Sequence, residues 1–302
     1  MKATNPAPQT GKETSSTQAG TFYALGAYVF WGVAPIYFVW VNFAAPLEIL
    51  SYRIICALPL LVLMVVAVKS WPQLKTIDHK VWLRLGIGSV LLSLNWLTFI
   101  YAIDNGRMVE ASLGYYINPL FTILLGALIL SEKMSNFQWY AAVFAGLGML
   151  VELMSMGEVP LLAVTLALTF GLYGLVRKGV NLSAPLALGL ETLLLVPFAL
   201  GFVFVYGQSF QLEEIGMLSL GGVVTVIPLV CFGAAASRLP LSTLGFFQYI
   251  APTLTLLLAV IVYLEEVSWQ RWLNLALIWC GLFMLVFEQI RLRQKEKVYL
   301  GS

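Results

Sequence analysis

The feature that constrains this sequence most is an apolar stretch of helix length that occurs twice. Residues 112–132 read SLGYYINPLFTILLGALILSE, and residues 243–265 read TLGFFQYIAPTLTLLLAVIVYLE. Each copy has a Leu-Gly pair, then two aromatic residues, then a proline, and a glutamate 13 residues after that proline. A helix-long apolar unit repeated within one chain indicates a membrane transporter built by duplication.

Composition makes lipid the solvent for much of the chain. Apolar residues are 60% of the sequence and charged residues 11%, whereas charged residues are about 25% of an ordinary soluble domain. A helix needs about 20 apolar residues to cross a bilayer. The sequence therefore predicts an all-α membrane protein with ten spanning helices, at residues 21–41, 47–68, 82–103, 108–130, 137–155, 159–177, 184–206, 215–236, 240–264 and 270–290.

The positions of lysine and arginine predict the orientation. With the N-terminus inside, fourteen of the 17 Lys and Arg residues lie in cytoplasmic segments, and only Arg107 and Arg271 lie outside; such a bias favours cytoplasmic placement of both termini. Five spans in each half are an odd number, so the second half is inverted relative to the first. The predicted domains are a disordered cytoplasmic tail (1–20), a first repeat (21–156), a second repeat (157–290) and a basic cytoplasmic tail (291–302).

The repeated pattern resembles a known family. A proline followed by a glutamate closes the fourth and ninth predicted helices, and the runs EILSYR (48–53) and LGYYINP (113–119) are similar to the RarD branch of the EamA family, within the drug/metabolite transporter superfamily. The resemblance implies a ten-helix fold in a bacterial inner membrane, with a central cavity between two inverted five-helix repeats. It also implies transport of small molecules, often the export of amino acids or related metabolites.

Catalytic and nucleotide-binding motifs are absent from the sequence. It has no P-loop, so the chain does not hydrolyse ATP, and it has one histidine and two aspartates, too few for a metal centre. We predict no enzyme activity, cofactor, metal or nucleic-acid partner. The predicted function is alternating-access export of a small polar or zwitterionic metabolite, with the bilayer and, as a candidate coupling ion, protons as partners; the oligomeric state is open. An exporter of amphipathic drugs such as chloramphenicol-like compounds is the alternative, and an integral membrane enzyme a more distant one.

Two charged residues, Arg53 and Glu191, lie inside predicted helices. Each stands six residues before a proline, Pro59 or Pro197, so the two occupy equivalent positions of the repeat. A charge near a helix centre costs about 2.5–3.5 kcal/mol on insertion scales, so each residue needs a partner or a wet cavity. A role in coupling or gating is one interpretation, and a charge anchored to neighbouring helix backbones or at the headgroup boundary is the other. Whether they pair is open, because the two helices enter from opposite faces and their depths leave about 10 Å between the backbones.

Polar side chains next to Pro119 and Pro252 are the candidate substrate site. We expect both prolines to break their helices and to free the carbonyls of Tyr115 and Gln248, which then face a cavity or another helix. Interhelical hydrogen bonding and packing are the alternative roles of these residues. The predicted cavity residues are Trp31, Asn95, Trp96, Tyr101, Tyr115, Asn118, Gln248 and Tyr249.

The two glutamates that end the repeated stretch, Glu132 and Glu265, have a predicted structural role. A carboxylate at a helix C-terminus is unfavourable because the helix dipole is negative there. We therefore expect each glutamate to cap the next helix in the chain, together with Ser135 and Ser268.

Overall fold

The computed structural model describes residues 10–105, 107–156, 160–262, 264 and 266–300, and this part of the chain is a bundle of helices. Ten helical segments are long and apolar enough to cross a membrane, as predicted. The α-helices are α1 (Thr10–Val33), α2 (Pro35–Trp40), α3 (Pro46–Ala67), α4 (His79–Asp104), α5 (Met108–Leu124), α6 (Asn136–Met156), α7 (Leu161–Lys178), α8 (Ala184–Tyr206), α9 (Leu212–Ala236), α10 (Leu241–Gln248), α11 (Ile250–Ile261) and α12 (Trp269–Leu300).

Two spans consist of two consecutive helices, and a third ends in a π-helical turn. α1 and α2 together form the first span, and α10 and α11 form the ninth. The fourth span joins α5 to the π-helical turn Leu125–Ile129. A short 3₁₀ helix, Trp71–Thr76, lies between the second and third spans.

The surface of the bundle carries large apolar side chains. On α8, Phe204 is 93% exposed and Phe198 is 77% exposed, whereas Ala187 and Glu191 on the same helix are buried. In water such a surface would aggregate, but in a bilayer lipid tails solvate it and every backbone bond is satisfied within a helix. The pattern is that of a helix bundle surrounded by hydrocarbon.

The two halves of the chain pack on each other through most of their helices. α1 packs on α9 and α11, and α7 packs on α4 and α5; α3 packs on α8 and α9, and α6 packs on α12. If each helix is replaced by its counterpart in the other half, the contacts of α1 with α9 and α11 become those of α7 with α4 and α5. This exchange is compatible with an inverted repeat.

Interactions between connecting segments define two ends of the bundle. At one end, here called the basic end, the Ser183 amide donates to Gln73 at 2.9 Å and the Lys178 ammonium donates to the carbonyl of Leu239 at 2.6 Å. At the other end, here called the opposite end, the Gln208 amide donates to Glu48 at 2.9 Å.

Both predicted tails continue the terminal helices. α1 begins at Thr10, so the prediction of disorder over residues 1–20 is wrong from residue 10 onward; residues 1–9 lie outside the described part. Gly20, near the start of the first span, is buried against Arg238 and Leu239, so the helix is packed on the second half of the chain from there. At the other terminus α12 runs to Leu300, which makes the predicted basic tail helical over most of its length.

The prediction that Pro119 breaks its helix is wrong. α5 continues through Pro119 to Leu124, and the distortion follows later, in the π-helical turn. In the second copy the break lies at Tyr249, three residues before Pro252. A proline removes one backbone hydrogen bond, and neighbouring helices in a membrane bundle can hold the chain helical despite that loss.

Candidate functional site

Arg53 on α3 is the centre of a polar site in the half of the bundle near the opposite end. Its Nε donates to the hydroxyl of Thr225 on α9 at 2.9 Å. Its guanidinium lies 5.3 Å from the ring centroid of Phe38 on α2 and 5.6 Å from that of Trp96 on α4. Residues of both halves of the chain thus hold one cation between two aromatic rings. We call these four residues, with Tyr115, the Arg53 site.

Two consecutive glycines on α9 make room for this arrangement. A Cβ on Gly221 would lie 2.5 Å from the Arg53 side chain and 2.6 Å from the hydroxyl of Tyr37. A Cβ on Gly222 would lie 2.6 Å from the carbonyl carbon of Cys56, one turn after Arg53. Because α9 is bare at these two positions, α3 approaches closely enough for Arg53 to reach Thr225.

Tyr115 on α5 forms another wall of the Arg53 site. It lies within electrostatic range of the guanidinium, yet it is 49% exposed. Its ring contacts Phe99 at a centroid distance of 6.0 Å. Tyr101, two turns beyond Asn95 on α4, is 53% exposed. Both rings therefore lie at the surface of the bundle.

A second polar group lies where α5 meets α10. The Gln248 amide donates to the hydroxyl of Thr122 at 3.2 Å, and that hydroxyl lies 3.4 Å from Oδ1 of Asn118. All three residues are buried. In the described part of the chain, Gln248 Oε1 and the neighbouring Tyr28 hydroxyl are buried without a hydrogen-bond partner. Asn118 and Gln248, the two amides next to the prolines, are thus linked through the hydroxyl of Thr122.

The remaining predicted cavity residues have packing partners of their own. Asn95 donates to the carbonyl of Leu166 and to the hydroxyl of Thr169, both on α7, at 2.9 Å each. Trp31 packs edge-on against Phe170 at 5.6 Å. Tyr249 is 2% exposed in an apolar cluster with residues of α6 and α12, so it packs away from Gln248.

Glu191 on α8 is the centre of a separate buried group. It is 1% exposed and accepts a hydrogen bond from the hydroxyl of Tyr173 on α7 at 3.0 Å. Arg177, one turn beyond Tyr173, lies within electrostatic range, and its Nη1 is buried with no partner among the described residues. On α4, Ser89 donates to the backbone carbonyl of Glu191 at 3.1 Å. Arg53 and Glu191 therefore belong to two different groups and form no ion pair.

Glu132 caps a helix, but not the next one, which corrects the prediction. Its carboxylate accepts hydrogen bonds from the amides of Leu241 (2.7 Å) and Ser242 (2.8 Å) at the start of α10, and from the Ser242 hydroxyl (2.7 Å). Lys178 at the end of α7 lies 3.5 Å from it. We call this arrangement the Glu132 cap; it joins the two halves at the basic end.

The next helix after Glu132, α6, has a cap of its own. The Ser135 hydroxyl accepts from the amide of Gln138, whose side chain accepts from the Ser135 amide in return. Glu265 lies outside the described residues, and Ser268 is joined to α12 by a backbone bond from Trp272.

Hydrogen bonding controls the ionisation of Glu132. Burial by itself would raise the pKa of this carboxyl, but the amides of Ser242 and Leu241, the Ser242 hydroxyl and the Lys178 ammonium lower it by more, so its pKa is below the usual value. The carboxylate is thus charged throughout the physiological range. A charged acceptor at a helix N-terminus is favourable because the dipole there is positive.

Two partners in these groups were not predicted from the sequence. Thr225 is the acceptor for Arg53, and Tyr173 is the donor to Glu191. Tyr173 and Arg177 are four residues apart and so share one helix face. That spacing could have identified Tyr173 and Arg177 from the sequence. A single threonine in an apolar helix, such as Thr225, gives no indication of its partner.

The structure has ten spans, and its buried polar groups contain residues from both halves of the chain. These features are typical of one class of protein, the multi-pass membrane transporters. The chain belongs to the EamA-like transporter family, whose model matches residues 18–154 and again residues 159–287. Protein RarD of Escherichia coli is 40% identical, over 92% of this chain and 97% of that protein. The Chloramphenicol-sensitive protein RarD of Pseudomonas aeruginosa is 27% identical, over 92% and 96%. A solved crystal structure has the same fold, with a TM-score of 0.69 and 19% identity over 89% of this chain and 97% of the other.

With its bacterial relatives and ten apolar helices, the chain is a multi-pass protein of the bacterial inner membrane.

Proposed function

We propose that the protein is a secondary transporter that exports a small polar or zwitterionic metabolite by alternating access. The observation that carries the proposal is the difference between the two ends of the bundle. At the basic end the Glu132 cap holds the two halves together. Towards the opposite end, Tyr115 and Tyr101 are about half exposed, and Arg53 is only partly buried. The bond from Gln208 to Glu48 also joins the halves at the opposite end, but we take that end as the more open one, because alternating access requires one closed and one open end in each state.

We infer that the basic end faces the cytoplasm. Lys75, Lys133 and Arg238 lie in connections at this end, and Lys178 ends α7 there; positively charged connections of this kind stay inside. The conformation is then closed to the cytoplasm and open to the outside. Export requires a second conformation in which the Glu132 cap is broken and the open side is closed.

Glu191 is the residue that we propose for coupling to protons. It is a buried carboxyl that faces Tyr173 and Arg177 from α7 and the backbone-bonding Ser89 from α4. A carboxyl enclosed in this way changes protonation when a conformational change moves its partners. Proton uptake in one conformation and release in the other would drive export without a nucleotide.

Purified protein in liposomes tests the proposal. A pH gradient imposed as the only driving force should drive a panel of radiolabelled amino acids and small organic acids across the membrane, and at least one should accumulate above its equilibrium level. Liposomes without protein, and liposomes in which an uncoupler collapses the gradient, are the controls. Equal distributions with and without protein for the whole panel would contradict the proposal.

An exporter of amphipathic drugs is the second candidate function. The aromatic rings of Phe38, Trp96 and Tyr115 favour it, as does the printed name of the Pseudomonas aeruginosa relative, which refers to chloramphenicol. Chloramphenicol carries no charge to pair with Arg53. Proton-driven accumulation of chloramphenicol, combined with no movement of the charged panel, would favour this candidate over the first.

A further inference from the structure

The cation of the Arg53 site is only partly satisfied by the protein. Nε of Arg53 is bonded to Thr225, but neither terminal nitrogen has a hydrogen-bond or ion-pair partner among the residues that the structure describes. Glu48, on the same helix, already accepts from the amides of Ala45 and Gln208. An arginine within a membrane bundle normally pairs with an acid or with backbone carbonyls. The terminal nitrogens are therefore available to the counter-charge of another molecule.

The geometry of arginine indicates which group that molecule carries. A guanidinium has a planar fork of donors, and two parallel hydrogen bonds from one edge match the oxygens of a carboxylate. Because Nε is engaged, the edge that remains is the pair of terminal nitrogens. The hydroxyl of Tyr115 lies within electrostatic range of the same guanidinium and has no hydrogen bond to a described residue, so a further donor is available nearby.

The walls of the site indicate the rest of the molecule. Phe38 and Trp96 flank the guanidinium at 5.3 and 5.6 Å, and Tyr115 is 49% exposed. Aromatic walls favour a flat apolar body, since offset and edge-on ring contacts add about 0.5–1.5 kcal/mol to simple burial.

We propose that Arg53 and Tyr115 bind the carboxylate of the transported molecule, and that its flat apolar body lies against Phe38 and Trp96. This inference rests on the proposed transport function and specifies its substrate class as small carboxylates with an apolar or aromatic body. Arg53 is then the residue that recognises charge. Arg271, a partly buried arginine near the start of α12, differs because it already pairs with Glu152 at 3.3 Å.

Binding to the full-length purified protein in detergent tests this site directly. The probes are benzoate, its uncharged counterpart benzamide, and acetate, at constant ionic strength, and the measurement is the shift of the thermal unfolding midpoint with probe concentration. Benzoate should raise the midpoint and saturate, acetate should do so only at higher concentration, and benzamide should have little effect. Equal shifts from benzoate and benzamide, or no shift from any probe, would overturn the proposal.

Variants assign the effect to Arg53. Arg53→Gln should raise the apparent Kd for benzoate about tenfold or more, since a charge-assisted pair is lost. Arg53→Lys should recover only part of the affinity because an ammonium lacks the fork. Tyr115→Phe removes one hydroxyl and should raise Kd about threefold; it keeps the test valid if the Arg53 variants fold poorly. Arg271→Gln is the matched control and should leave the Kd unchanged. Benzoate affinity that is the same in Arg53→Gln and in the parent would disprove the site.

Transport of benzoate in liposomes separates this inference from the function on which it rests. Benzoate that binds through Arg53 but is not carried, together with no transport of any member of the panel, would refute the transport function and leave the site standing. Benzoate carried equally well by the parent and by Arg53→Gln would refute the site and leave the transport function standing. Transport that is lost together with binding in Arg53→Gln, and kept in Arg271→Gln, supports both.

Discussion

At the scale of single residues, the missing side chain of Gly222 determines how close α3 and α9 come. We expect Gly222→Ala to lower the free energy of unfolding by about 1–3 kcal/mol, because a Cβ there would lie 2.6 Å from the Cys56 carbonyl carbon and the two backbones must separate. Gly216, on the same helix, has nothing within 4 Å of a Cβ. Gly216→Ala is therefore the matched control and should be neutral or slightly stabilising.

The measurement for these two variants is thermal or denaturant unfolding of the purified proteins in the same detergent. Separation of α3 from α9 also stretches the bond from Arg53 to Thr225, so Gly222→Ala should weaken benzoate binding as well. Equal stability of the two alanine variants would show that the close approach of α3 and α9 is not maintained in the protein.

Glu191 allows a second prediction at this scale. Glu191→Gln keeps the shape of the side chain and can still accept from Tyr173, but it cannot take up or release a proton. We expect accumulation driven by a pH gradient to fall to the level of protein-free liposomes, while exchange of substrate down its own gradient continues. Glu213→Gln, which alters an exposed carboxyl at the start of α9, is the control. Undiminished uphill transport by Glu191→Gln would show that the proton binds elsewhere.

At the scale of helices, the Glu132 cap joins the end of the fourth span to the start of the ninth. Glu132→Gln should lower the free energy of unfolding by about 1 kcal/mol, because a charged acceptor for two amides at the start of α10 is replaced by a neutral one. Glu213→Gln again provides the comparison and should change stability by a few tenths of a kcal/mol at most.

The pH dependence of the Glu132 cap follows from its lowered pKa. A carboxyl whose folded pKa is below its unfolded value contributes stability above the unfolded pKa, about 4.3 for glutamate, and loses it as the pH falls through the folded pKa. The difference in unfolding midpoint between the parent and Glu132→Gln should therefore be constant from pH 7.5 to about pH 5 and shrink below that. A difference that grows on acidification would mean that the pKa is raised instead.

The helices could be predicted from the sequence more fully than the site. Ten spans follow from hydrophobic length alone, because each helix satisfies its own backbone in lipid. The partner of a given side chain depends on which helix lies opposite and how that helix is rotated. The sequence of an apolar span predicts neither of these. For that reason Arg53 and Glu191 were identified as important while their partners, Thr225 and Tyr173, were not. The target of Glu132 lies 109 residues away along the chain, a distance that local capping rules cannot cover.

At the scale of the whole molecule, the orientation in the membrane is a prediction that labelling can test. In a background in which Cys56, Cys231 and Cys280 are replaced, single cysteines are introduced in the 207–211 and 75–78 connections. A membrane-impermeant maleimide should label the first in intact cells and the second only after permeabilisation. The opposite pattern would reverse the orientation and would make the conformation closed to the outside.

The pairing of α6 with α12 has a consequence for the time course of synthesis. Glu152 on α6 is bonded to Arg271 and Asn274 on α12, so its carboxylate reaches the membrane before those two partners have been translated. At about 5–20 residues per second, the roughly 120 intervening residues take about 6–24 s to synthesise. During that interval the bonds from Glu152 to α12 cannot form. A ribosome stalled before the tenth span would therefore leave a nascent chain that membrane quality-control proteases can recognise by its incomplete polar cluster.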